Sequence, residues 1–123
     1  MINFHAWGNL FIHPFNFEPI GNKLLIHNYP KAKAFYEDIW TNGNLPYGNI
    51  EGNGAKAIKY TANGEASDYI LGVQERYALS PELGDNTARS EHFFIKDSKT
   101  LKRVLEENFN WVELCISKLR PII

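Results

Sequence analysis

The chain has 123 residues, 44% hydrophobic and 22% charged, with a formal net charge of −1 from thirteen basic and fourteen acidic side chains. That length fits a single domain over residues 1–123, and that composition excludes an intrinsically disordered chain. The near-neutral balance argues against a general nucleic-acid binder, and no run approaches the roughly 18 apolar residues of a membrane span.

The N-terminal stretch is aromatic: residues 4–17 hold Phe4, Trp7, Phe11, Phe15 and Phe17 together with His5 and His13. Residues 3–13 read as a strand apolar on both faces, with His5, Trp7, Phe11 and His13 on one of them. Core packing is the expected role of these rings, and an open face for stacking single-stranded nucleic acid is the alternative. Interruption by His5, Asn9, His13 and Pro14 predicts no signal peptide. A second short strand is expected at 23–27, after the Gly21-Asn22 turn signal.

Pro30 opens a helix over 30–40, with Asn28 or Tyr29 at its cap and Ala32, Phe35, Tyr36, Ile39 and Trp40 on one apolar face. Residues 41–56 contain four glycines, four asparagines and one proline, which predicts a loop or tight turns. Residues 57–61 and 67–77 read as two strands of a hairpin turning at Asn63-Gly64. Residues 80–90 are a polar loop, and 91–96 another short strand. The C-terminal stretch 98–119 is helical, capped by Asp97 or Ser98, with Leu101, Val104, Leu105, Phe109, Val112, Ile116 and Leu119 at helical spacing. Asn108 and Asn110 are places where it could break in two. The expected class is therefore α+β: a mixed or antiparallel sheet of about five strands, with one central and one C-terminal helix packed on it.

No motif for an activity emerges. Cys115 is the only cysteine, so a disulfide or multi-cysteine zinc site within the chain is excluded, and its apolar neighbours predict a buried inert thiol. No HExxH or HxH spacing occurs, and His5 and His13 are too far apart on a straight strand to share a metal. No metal, cofactor or catalytic residue is assigned. Gly52 to Ala57 matches GxGxxA, but it follows a loop and precedes an expected strand, which is the wrong context for a dinucleotide fingerprint.

The leading functional expectation is a small cytoplasmic protein that binds another protein, most plainly an inhibitor or immunity protein neutralising a partner toxin or nuclease. In size, charge balance, lack of an enzyme motif and thirteen asparagines, the chain is similar to the small immunity proteins encoded beside bacterial toxins. That likeness is one of general character and rests on no shared motif. On this reading the loops 41–56 and 80–90 meet the partner. Tyr47 is the aromatic anchor, and Glu51, Glu82 and Asp85 are the acidic contacts to a basic surface. Two alternatives stand beside it. One is a small nuclease or hydrolase using two of His5, His13, His27 and His92; the other is a single-stranded nucleic-acid-binding domain. An exposed edge strand or aromatic face could also support a homo-oligomer.

Overall fold

The computed structural model describes residues 1–46, 51–84 and 95–119. Helices dominate it. Five of them, α1 (Gly21–Asn28), α2 (Pro30–Asn42), α3 (Gly54–Ala57), α4 (Ala66–Gly72) and α5 (Ser98–Ser117), make up about half of the described residues. The strands β1 (His5–Ala6), β2 (Phe11–Ile12), β3 (Glu51–Gly52) and β4 (Glu82–Leu83) are two residues each. They form two separate parallel pairs, β1 with β4 and β2 with β3. The expected five-stranded sheet carrying two helices is therefore wrong.

Each misread segment has a local cause. The strand expected at 3–13 is broken at Gly8-Asn9, where both residues take positive φ and the chain turns. Two-residue strands remain on either side of the turn, at His5–Ala6 and Phe11–Ile12, and Leu10 bridges Glu82. The segment 23–27 lies inside α1, whose inward residues are Gly21 and Leu25, four apart. A short apolar run such as LLI does not distinguish strand from helix by its pattern. The first expected hairpin strand, 57–61, begins in the last residue of α3, a turn capped by Asn53, whose side chain accepts from the Lys56 N–H. The second, 67–77, starts as α4. Glu65 caps that helix by accepting from Ser67 N, and Asp68 supplies a negative charge to its first turn. The strand expected at 91–96 falls largely outside the described residues.

The two long helices match their sequence signals. Proline occupies the first turn of α2, and the residue before it, Tyr29, is the N-cap without a side-chain cap bond. Asp97 caps α5, accepting from the Thr100 N–H at 2.7 Å. The helix runs unbroken through Asn108 and Asn110. Asn108 is held inside it, donating to the Val104 carbonyl at 2.7 Å and accepting from the Trp111 indole at 2.8 Å. The expected packing of α5 across a sheet is replaced by packing on α2.

The core joins the N-terminal aromatics to these helices. Phe11, Leu25, Ala32, Tyr36, Ile39, Leu71 and Trp111 have no exposed surface, and Phe15, Phe35, Leu79 and Cys115 complete the cluster. Phe11 meets Trp111 edge-on with ring centroids 6.0 Å apart. Gly43, at the end of α2, lies so close to α5 that a Cβ there would come within 2.9 Å of the Trp111 Cβ and 2.5 Å of the Ile39 carbonyl. Burial also pushes the Cys115 thiol up to about 12, as expected of an inert core cysteine.

Candidate functional site

Three features compete for a functional role: a polar knot in the interior, a small cleft beside it, and the outer face of α5.

The knot begins at Asn16, which is buried. Its side-chain oxygen accepts from the Gly54 N–H at 2.6 Å, and its amide donates to Asp68 Oδ1 at 3.0 Å. The backbone N–H groups of Asn16 and Phe17 donate to Asp68 Oδ2 at 2.7 and 3.0 Å. Burial raises the Asp68 carboxyl above its ordinary value, although these N–H bonds oppose the shift. Asn53 works similarly, donating to the Phe15 carbonyl at 2.9 Å. Three segments distant in sequence are thus tied by side-chain to backbone bonds.

His13 forms a second buried contact. Its ring stacks on Tyr36, with centroids 5.1 Å apart and planes within 5°. Nδ1 lies 2.7 Å from the Pro14 carbonyl and Nε2 lies 2.9 Å from Glu51 Oε1. Each ring nitrogen of His13 thus has an oxygen partner. Lys56 holds the other Glu51 oxygen at 2.9 Å. The His13 hydrogen bond, reinforced by Lys56 and opposed by burial, holds the Glu51 carboxyl at about 2.

Beside the knot lies a cleft of about 140 Å³, lined by His5, Ile12, Asn16, Tyr60, Glu65, Ser80 and Glu82 among others. Glu65 is fully engaged there: it accepts from Ser67 and, at 2.7 Å, from the Ser80 hydroxyl. Glu82 is not. Its Oε2 is buried without a hydrogen-bond partner, and burial raises its carboxyl while the neighbouring His5 charge pulls it down. His5 sits across the parallel pair from Glu82 and is itself exposed.

The outer face of α5 is the third feature. Val104, Asn108, Trp111 and Cys115 face the core. Next to that stripe Leu101, Leu105, Phe109 and Ile116 remain 45, 61, 61 and 66% exposed. Such side chains at steps of four, four and seven lie along one line of a helix, with half-buried Val112 between the last two. The apolar arc of this helix is wider than a single packing face needs.

Of the four acidic or aromatic contacts expected on the polar loops, the two described, Glu51 and Glu82, lie in different strand pairs. Tyr47 and Asp85 lie outside the described residues. Glu51 on β3 is engaged by His13 and Lys56, and Glu82 on β4 lines the cleft in the other strand pair. Of the histidines, His5 and His27 are exposed, His13 is buried, and His92 is outside the described residues. Among the described residues no group of three histidine, cysteine or acidic side chains is placed to hold a metal.

GxGxxA stands in a different context from the one expected. It begins at Gly52, the last residue of β3, and runs into α3, a helix of only four residues. The N–H groups that would face a phosphate are already occupied: Gly54 N by Asn16 and Lys56 N by Asn53. The segment is an internally satisfied single turn, followed by no strand, and offers a phosphate no free N–H at Gly54 or Lys56.

The residues of the knot, Asn16, Asn53 and Asp68, and Glu65 and Ser80 of the cleft are not singled out by sequence reasoning. The four asparagines of 41–56 were a partial signal, because asparagine so often bonds to nearby backbone. Searched against protein-family models and against curated proteins, the chain matches none. Among the described residues no helix is long and apolar enough to cross a membrane.

Proposed function

We propose that this chain works by binding another protein, with the outer face of α5 as its contact surface. The observation that carries this reading is the exposed line Leu101, Leu105, Phe109 and Ile116 on a capped helix of 20 residues. Roughly 400 Å² of apolar surface on one helix face lies in the ~300–600 Å² range of the largest patch on a monomer, a patch that is often functional. An amphipathic helix offering large apolar side chains at this spacing fits a partner helix or groove.

The inhibitor or immunity role, acting in the cytoplasm on a toxin or nuclease, is the specific form of this proposal. Its contact surface moves from the polar loops to α5, because Glu51 is engaged internally and Glu82 lines the cleft. The test compares wild type with Phe109→Glu as immobilised baits, identifying bound proteins by mass spectrometry. A protein retained by wild type and lost by the variant is expected; identical recoveries from two equally folded baits contradict the reading. Growth rescue by wild type, and not by Phe109→Glu, on co-expression with that partner would support the inhibitor role.

A second reading is a small hydrolase acting in the cleft, favoured by one observation. A carboxyl raised by burial keeps its proton to higher pH, so Glu82 suits a general acid beside His5. A panel of chromogenic esters, phosphodiesters and glycosides tests it. Turnover lost in both Glu82→Gln and His5→Ala supports the reading, and no turnover of any substrate removes its support.

A further inference from the structure

We infer that the cleft beside the polar knot is a binding site for a small organic cation, a primary ammonium on a compact apolar body, with the Glu82 carboxylate as its counter-charge. This inference is independent of the α5 face and shares only its location with the hydrolase reading. Three observations lead to it.

The first is an acceptor with capacity to spare. Glu82 lines the cleft, and its Oε2 is buried without a hydrogen-bond partner among the described residues. A carboxylate oxygen in that state destabilises the fold, and a ligand that brings an N–H to it recovers the loss on binding. The other glutamate of the cleft, Glu65, already accepts from Ser67 and Ser80.

The second is charge. Two glutamates line the cleft, and among the described residues no lysine or arginine does. His5, the one lining side chain able to take positive charge, is exposed. An anionic ligand would meet two carboxylates and no fixed cation, whereas a cation finds its complement there. A bare metal ion fits poorly, because among the described residues no group of three histidine, cysteine or acidic side chains is placed to hold one. The N–H donors of an organic ammonium need only one carboxylate.

The third is size and lining. The cleft holds about 140 Å³. An apolar cavity of ~150 Å³ is enough to admit a ring the size of benzene. The walls away from the carboxylates are Ile12, Ile58, Ala62 and Tyr60. Tyr60 is 62% exposed, so it stands at the rim, where an aromatic ring adds attraction for an ammonium. Because Glu82 Oε2 is covered, the ligand reaches it through a rotation of the Glu82 side chain, a kind of change common on binding.

The experiment is isothermal titration calorimetry of the full chain with benzylamine, set against benzyl alcohol and benzoate as a neutral and an anionic match of similar size. Benzylamine is expected to bind wild type at least about tenfold tighter than benzyl alcohol, and benzoate is expected not to bind. Glu82→Gln keeps the shape and removes the charge. It is expected to weaken benzylamine at least about tenfold, the usual worth of a charged hydrogen bond, and to leave benzyl alcohol within about twofold. Ala62→Leu narrows the cleft from a different wall and is expected to weaken both ligands.

A folded wild type that binds no benzylamine overturns the inference. So does equal affinity for all three compounds, or benzylamine affinity indifferent to Glu82→Gln. Phe109→Glu is expected to leave benzylamine binding unchanged, so failure here and failure of the protein-binding reading are separate results. Benzylamine binding that depends on Glu82 supports the inference whether or not the chain turns over any ester, phosphodiester or glycoside.

Discussion

The N-terminal two-thirds of the molecule and helix α5 are held by different physics. The described residues up to 84 contain short helices and two-residue strands, tied by asparagine and aspartate side chains reaching distant backbone groups and by the His13–Glu51 contact. Helix α5 has a charged cap, a continuous ladder of 20 residues and a buried stripe around Trp111. One region closes on itself through polar contacts that leave few groups unsatisfied. The other packs one stripe and leaves an apolar one exposed. The difference separates stability from function: substitutions in the first should act on folding, and substitutions on the outer face of α5 should act on association.

The sharpest way to break this contrast is at Asn16. Asn16→Ala removes acceptor and donor together, leaving the Gly54 N–H and Asp68 Oδ1 without these partners. Urea denaturation is expected to show a loss of about 3 kcal/mol, since each orphaned buried group costs about 1–3 kcal/mol. A loss comparable to that of an ordinary surface change would mean the knot is not what holds these segments.

A second way is through pH at Glu51. Its folded carboxyl, near 2, lies below the ordinary value of 4.5. Its contribution is therefore complete above the unfolded value, and is lost as pH falls through the folded one. Glu51→Ala, which leaves the buried His13 Nε2 without its partner, is expected to cost about 1–2 kcal/mol near neutral pH. The gap from wild type should shrink as the medium is acidified toward pH 2 (a gap independent of pH would dissociate Glu51 from the effect).

Glu82 shifts the opposite way. Its raised carboxyl means the folded state holds the proton more tightly, so stability falls as pH rises through the ordinary carboxyl range. Glu82→Gln is expected to be about 0.5 kcal/mol more stable than wild type at neutral pH, a modest figure because the group is partly solvated. Asp68 is raised as well, so the difference between wild type and variant at each pH isolates Glu82. A variant less stable than wild type at neutral pH would contradict the burial of its charge.

The smallest folding effect belongs to α5. Phe109→Glu is expected to move the unfolding midpoint of the single chain by no more than about 0.5 kcal/mol, the usual range for an exposed site. Its effect should instead be on association. A large folding loss would place Phe109 in the core rather than on a docking face.

The same contrast decides what could be read from the sequence. Pro30 and Asp97, followed by apolar residues at helical spacing, mark α2 and α5 because local chemistry determines those helices. The class was misread because the first two-thirds is ordered by tertiary contacts. Nothing near Asn16 announces Asp68 or Gly54, and Glu65 is an unusual cap for α4 beside the serine and asparagine a reader looks for. The 67–77 segment reads as a strand because Tyr69, Leu71 and Val73 alternate, yet only Leu71 of these is buried; Tyr69 on α4 and Val73 at its C-cap are exposed. On α5 the apolar list was correct but merged two stripes. Among its members Val104 is buried while Leu105, Phe109 and Ile116 face outward, and the buried stripe is completed by Asn108, Trp111 and Cys115. Polar Asn108 hides the packing face, so helical spacing alone does not separate the outer residues from it.

Covalent labelling of side chains at low protein concentration, read out by mass spectrometry, tests the exposure of that outer face most directly. Leu105, Phe109 and Ile116 are expected to label readily, while Phe11, Leu25 and Trp111 stay protected until the chain unfolds. Phe109 protected as strongly as Trp111 in the isolated chain would mean the chain covers this face itself, and α5 would then be no docking surface.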